Sequence, residues 1–227
     1  MNNASTTSVA AATRMVGMST LVWATAAASM VALAAAIEPA HAATATAAPL
    51  VNQQAGMYGD PAAAAPFWRL QHSSDCAEMA VADVVGQVTG HEPTEQQITR
   101  VAKTTGSSTG AGPIYRRRRG TDIRNLPALL AHYGVQSSLS ESTIGGLEQD
   151  LTQGRRVISA VNAQTIWNTS GNRNVDNHVV VVTGVDTNAG VVHLNDSGIR
   201  TGRDERVSLA VFETAWATSQ NLAVVTT

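Results

Sequence analysis

The chain carries one cysteine in 227 residues, Cys76. One thiol cannot close an intramolecular disulfide, which leaves it intermolecular pairing, a place as a small inert hydrophobe, or a reactive nucleophile. Its setting, Gln71-His72-Ser73-Ser74-Asp75-Cys76, favours the nucleophile. Ser74 or Asp75 can cap a helix that starts at Cys76 and runs to about Gln87. Ala77, Ala80, Val81, Val84, Val85 and Val88 then follow the i, i+3, i+4, i+7 spacing of a buried helical face, and Gly90 stops it. A helix start offers unpaired N–H groups and roughly +0.5 of dipole charge, which favour an anion. That matters because a thiol attacks as its thiolate, and a free cysteine, with a pKa of about 8.5, is mostly protonated at neutral pH.

An imidazolium set against the thiol would act in the same sense with a full charge. Of six histidines, only His178 follows a polar loop and leads an uninterrupted apolar strand, in Asn177-His178-Val179-Val180-Val181-Val182. It is the candidate base. His72, close to Cys76, is its rival, and His193, inside a strand, reads as surface or packing. Asp196, at the end of Val191-Val192-His193-Leu194-Asn195-Asp196, is the candidate that accepts a hydrogen bond from the imidazole and holds its tautomer, with Asn195 as stand-in. Gln71 could donate its amide to an oxyanion, with the Cys76 backbone N–H as second donor. A single cysteine and scattered histidines lack the ligand spacing of a zinc site, and no cofactor is expected.

The elements that must position these residues fall into two blocks. Thr94-Glu95-Gln96-Gln97 reads as a capping box for a short helix through Ile98, Val101 and Ala102. Asp122 caps a helix through Leu126, Leu129, Leu130 and Tyr133, and Ser142 one through Ile144, Leu147 and Leu151, each closed by a glycine. Gly106 to Pro113 is a loop. Residues 156–161, 178–183, 190–194 and 222–226 are short and valine-rich, as strands are, and Thr187-Asn188-Ala189-Gly190 is a turn between two of them. Helices first and strands last predict an α+β fold with an antiparallel sheet.

The N-terminal residues read as an export signal. Arg14 is followed by an uncharged Ala/Val/Met/Leu stretch from Met15 to Ile37, and Ala40-His41-Ala42 offers a cleavage site. Residues 1–42 are thus expected to be a signal peptide. A retained anchor is the alternative, because about 20 apolar residues also span a bilayer. Residues 43–66 are expected to be a linker or N-terminal extension, and 67–227 one domain with a real core. A net charge of -2 gives no global field to draw nucleic acid or membrane. The run Arg116-Arg117-Arg118-Arg119 reads as a solvated loop, with a basic substrate rim or a nicking site as alternatives; four arginines alone do not make a nucleic-acid site.

The strings QHSSDCAEMAVADVVGQVTG, NHVVVVTGV and VVHLNDSG together resemble the papain-like cysteine peptidases of family thirty-nine, the double-glycine-leader or bacteriocin-processing type. More narrowly, they resemble the stand-alone, exported C39-like domains of actinobacteria such as mycobacteria. LLAHYGV, LEQDLTQGRRVISAV and FETAWATSQNLAVV are similar too, so the resemblance covers about Trp68 to Thr226. It implies a papain-like fold, with the cysteine on an N-terminal helical half and the histidine and aspartate on a C-terminal antiparallel sheet. It also implies the roles of oxyanion donor, nucleophile, base and orienter for Gln71, Cys76, His178 and Asp196. The chain departs from the family pattern twice. Gln71 stands five residues before the cysteine rather than the usual six, and Ser197-Gly198 follows the aspartate in place of proline. The fold implied would put the substrate groove between the loops Gly106–Gly120 and Ala163–Asn177, with Trp167 as a substrate-binding residue; packing under its own loop is the alternative.

The expected function is that of an exported cysteine peptidase acting on a peptide or protein through a thioester. Two other readings stay open. One is a cell-wall amidase or NlpC-type endopeptidase, which usually carries a second histidine where Asp196 stands and a small residue and glycine after its cysteine. The other is a non-catalytic binding or effector domain on the same fold.

Overall fold

The computed structural model describes residues 55–227. The expected signal segment 1–42 and the linker up to residue 54 lie outside the described residues. The chain enters through a strand, β1 (Met57–Gly59), and a helix, α1 (Pro61–Ala64), whose cap Asp60 accepts from the Ala63 N–H. Residues 57–66, expected to be linker, are therefore part of the folded domain. Elements this short show no periodicity, and β1 exists only because a later strand offers it an edge.

Helix α2 (Cys76–Thr89) starts at the cysteine and ends on Gly90 in the left-handed region. It is buried from Ala77 through Gly86, on more than the one face its apolar spacing marks. Helix α3 (Glu95–Thr104) carries the expected capping box, with Thr94 and Gln97 bonded reciprocally. Asp122 caps a 3-10 turn that runs into α4 (Leu126–His132). Strand β2 (Ser137–Glu141) and α5 (Ile144–Thr152) follow, and the cap of α5 is Thr143, not Ser142, its hydroxyl accepting from the Gly146 N–H. Then come β3 (Val157–Val161), the short α6 (Ala163–Ile166), β4 (His178–Asp186), β5 (Val191–Asn195), β6 (Glu205–Ser208), α7 (Leu209–Trp216) and β7 (Leu222–Thr226).

The sheet runs β2-β7-β3-β4-β5-β6, antiparallel at every pairing. β3 covers one edge of β4 only as far as Val182, and β1 takes over that edge from Gly184 to Asp186. Both faces are covered. Ile158, Ala160, Val179, Val181 and Val224 pack against α2, α3 and α4. Their neighbours Val157, Val161, Val180, Val182 and Val225 pack against α5 and α7, around Leu147, Phe212 and Trp216. This is why β4 is an unbroken run of valine instead of an alternation: side chains on both faces leave water. α2 on one face, the start of β4 and the end of α6 then bring residues 76, 178 and 167 to one end of the sheet.

Candidate active site

Cys76 is the first residue of α2 and is half-buried. Asp75 before it makes no side-chain cap bond, so the side-chain cap does not take up the N–H groups of the first turn. His178 opens β4, and Asp196 follows the last residue of β5. They are 5% and 0% exposed, and His178 Nε2 meets Asp196 Oδ1 at 2.7 Å.

Asp196 is held by several N–H groups besides His178. Gly198 N–H donates to Oδ1 at 2.7 Å, Trp167 Nε1–H to Oδ2 at 2.8 Å, and the Trp68 indole N–H to the main-chain carbonyl. Burial works against the carboxylate, but the charge and hydrogen bond of His178, then the Gly198 and Trp167 N–H groups, outweigh it and hold the Asp196 carboxyl below its ordinary range. For His178, burial disfavours the charged ring. The Asp196 charge and hydrogen bond, then the hydrogen bond and charge of Cys76, overcome that and push it up to about 10. The ring is thus an imidazolium at neutral pH. Nε2 is committed to the carboxylate, which leaves Nδ1 for the thiol.

Gln71 reaches the same place from the segment before α2. Its backbone N–H donates to the Ser197 carbonyl at 2.9 Å, and its Oε1 accepts from the Ser197 hydroxyl at 2.8 Å. Nε2 donates to the Ser73 carbonyl at 2.8 Å, so one of the two amide hydrogens expected for an oxyanion is spent within the loop. The rivals are engaged elsewhere. His72 is drawn to the start of α3, with Nδ1 2.6 Å from Glu95 Oε2 and its side chain 77% exposed. His193 is buried, not at the surface, and pairs with Asp204 at 2.6 Å. Asn195 donates to Asp83 and the Ala64 carbonyl, tying β5 to α2 and α1 instead of orienting the base.

Trp167 corrects an expectation. It stands at the end of α6, not in an irregular loop, and its one polar atom is on Asp196. Its ring lies 5.0 Å from that of His178, centre to centre. It packs against the His–Asp pair through its indole N–H and ring, and its half-buried face stays open to solvent beside that pair. Gly198, which sequence reasoning passed over, serves the same packing: a Cβ there would stand 2.6 Å from the Trp167 ring and 3.0 Å from His178 Cε1. Asp-x-Gly after a strand is the sequence signal for the turn in which Asp196 accepts the N–H two residues on.

The loop 106–120 borders the cysteine side, but it is anchored, not free. Ile114 and Tyr115 are buried, the Tyr115 hydroxyl lies 3.3 Å from Ser73 Oγ, and Thr121 donates to Glu78 on α2. Arg116 bridges Gly120, and the arginines face solvent. A cavity of about 720 Å³ opens on the other side of the Gln71 segment, lined by Phe67, Leu70, His72, Met79, Pro93 and Glu95 among others. It lies between residues 66–72, α2 and the start of α3, not between the two loops expected to form a groove.

A helix-borne cysteine facing a histidine and an aspartate from an antiparallel sheet is the layout of the papain-like thiol peptidases. The chain belongs to the Peptidase_C39-like family, whose model matches residues 45–224. It is 45% identical over 197 residues to uncharacterized proteins of Mycobacterium tuberculosis and Mycobacterium bovis, covering 75% of this chain and 84% of each relative. Its fold is similar to that of a protein described as a C39-like peptidase from Bacillus anthracis, with a TM-score of 0.57, 17% identity, and 75% of this chain and 97% of that one covered. The peptidase domain of Streptococcus ComA, a bifunctional ABC transporter of a quorum-sensing pathway, matches at a TM-score of 0.50 and 18% identity, over 70% of this chain and 96% of that one.

Proposed function

We propose that the protein is an exported cysteine peptidase that hydrolyses a peptide bond through a thioester acyl-enzyme. The observation that carries this reading is the buried His178–Asp196 pair at 2.7 Å, with the remaining face of the imidazolium toward Cys76 at a helix start. The Cys76 thiolate adds to the scissile carbonyl. The oxyanion that forms is bound by the Cys76 N–H and by the amide hydrogen of Gln71 not spent on Ser73. Collapse breaks the C–N bond as His178 gives its proton to the leaving amine. A water molecule, its proton taken by His178, then adds to the thioester; the acid departs and the thiolate–imidazolium pair is restored. Asp196 keeps the ring aimed through both steps.

Export rests on the sequence of residues 1–42. The substrate is a peptide or protein, and its backbone lies past Gln71 so that a side chain can enter the cavity beside Leu70 and Met79, whose rim carries Arg69, Glu92 and Glu95.

The reading is tested with the folded protein and a peptide library, read by mass spectrometry, beside labelling with an epoxide or vinyl sulfone probe. Cleavage and a single adduct on Cys76 are expected, both abolished by Cys76→Ala. An adduct without cleavage of any peptide would instead support a non-catalytic domain, and no adduct at all would overturn the nucleophile assignment.

A further inference from the structure

We propose that Glu205 is a positioning residue for the His178–Asp196 pair, donating its carboxyl O–H to the Asp196 carboxylate. This rests on the reading of that pair as the site's base and orienter, and it adds a second carboxyl to it. The backbone makes the encounter. After β5 the chain turns back: the Asp196 N–H donates to the Gly202 carbonyl at 2.8 Å, and a Cβ on Gly202 would collide with the Asp196 carbonyl. β6 then begins with Glu205 opposite Leu194, two residues before Asp196 on the neighbouring strand. The side chain is half-buried, and its Oε2 is sealed from water with no hydrogen-bond partner of its own among the described residues.

A carboxylate offers about four acceptor positions. His178 and Gly198 fill those of Asp196 Oδ1, and Trp167 fills one on Oδ2. One position on Oδ2 remains, and only a donor can use it. Two carboxyls in such a place repel when both are ionised, so one of them keeps its proton well above the ordinary carboxylate range. The N–H donors and the imidazolium hold Asp196 ionised, which assigns the proton to Glu205. Burial first, then the charge and hydrogen bond of Asp196, push the Glu205 carboxyl up to about 7, against the pull of the His178 charge.

Among the described residues no salt bridge takes Glu205. On its own strand and the turn before it, Asp204 is bound to His193, and Arg206 approaches only Asp204, at 3.9 Å. Arg203 lies over the Trp68 ring, and α7, packed against β6, brings only the exposed Glu213. Below neutrality Glu205 is the neutral donor that completes the support of Asp196. Above it, the O–H is lost and a second negative charge faces the carboxylate that aims the base.

Two readouts decide this, one of them independent of turnover. In nitrogen-15 NMR of the histidine rings of the full chain, His178 should remain protonated from pH 5 to 9 yet show an inflection near pH 7, reporting its neighbour's titration. Glu205→Gln, which keeps an N–H donor and cannot ionise, should abolish the inflection. In peptide cleavage, Glu205→Ala should lower kcat about 10-fold or more at pH 6, as expected for loss of a hydrogen bond to a charged group, with KM unchanged. Glu205→Gln should restore kcat and flatten its pH dependence around neutrality.

A wild-type His178 signal with no inflection, or one that persists in Glu205→Gln, overturns the proposal whether or not peptides are cleaved. If no peptide is cleaved, the peptidase reading falls while the ring titration still tests the contact. If Glu205→Ala fails to fold, the Gln variant carries both readouts.

Discussion

The indole N–H of Trp167 and the main-chain N–H of Gly198 do for Asp196 what water does for an exposed carboxylate. A buried, ionised carboxyl costs several kcal/mol unless its oxygens are paired, so each donor matters out of proportion to its size. Trp167→Phe keeps a ring against His178 and removes only the N–H. We expect kcat for peptide cleavage to fall about 10-fold, with the far-UV circular dichroism unchanged; an unchanged kcat would return Trp167 to packing or to substrate. Because His178 is an imidazolium at neutral pH, His178→Ala should slow iodoacetamide labelling of Cys76 at pH 7 as well as abolish cleavage, whereas His72→Ala should do neither. Loss of labelling in His72→Ala alone would reverse the assignment. Gln71→Ala should cost about 10²–10³ in kcat if its second amide hydrogen serves the oxyanion, and near-normal turnover would give that role to a backbone N–H.

Helix α2 must sit at one depth and one rotation, or Cys76 moves off His178. Gly86 sets that seat. A Cβ there would lie 2.6 Å from the Phe67 ring and 2.9 Å from Glu92 Cβ. Alanine gains up to about 1 kcal/mol of helix propensity over glycine, but overpacking costs about 1–3 kcal/mol, and both approaches are closer than a real Cβ tolerates. Gly86→Ala should therefore lower the thermal midpoint despite the better helix former; a higher midpoint would show that the 66–68 segment gives way freely. Elements with a long period or a complete cap signal were legible in the sequence: α2, the Thr94 capping box and the valine strands. β2 (Ser137–Glu141) and β6 (Glu205–Ser208) were not, because edge strands with polar residues carry no alternation strong enough to read, and β1 is ordered by pairing alone.

Over the whole molecule, buried carboxyls set the response to pH. Burial, opposed by the Thr121 hydroxyl and local N–H bonding, pushes Glu78 up to about 7. Burial likewise takes Asp83 to about 6, against hydrogen bonds from Gln87 and Asn195, and Glu92 to about 7, against the Arg69 charge. In the unfolded chain these groups lose their protons near 4, so between there and 7 the native state holds protons that the unfolded state has released, and the stability they contribute is lost as pH rises through 6–7. Asp196 and Glu95 act oppositely, but only when pH falls into the acid range. His178, raised from 6.5 to about 10, adds stability that is complete below 6.5 and fades toward 10. The thermal midpoint should thus be higher at pH 5.5 than at pH 8. Glu78→Gln should remove part of that slope, because a shift from 4.5 to about 7 in a fully buried side chain is worth about 3 kcal/mol; identical slopes would mean that Glu78 relaxes into water. The sequence by itself determined which residues could do chemistry, since a lone cysteine at a helix start, a histidine leading a valine strand and an aspartate closing the next are local patterns of type and spacing. It also determined the fold class, through the order of periodic blocks. Only the tertiary structure decided which partners those residues keep. That Trp167 serves Asp196 and that Asn195 serves Asp83 follow from strand register and chain reversal, which join residues 29 and 112 positions apart and leave no trace in local periodicity.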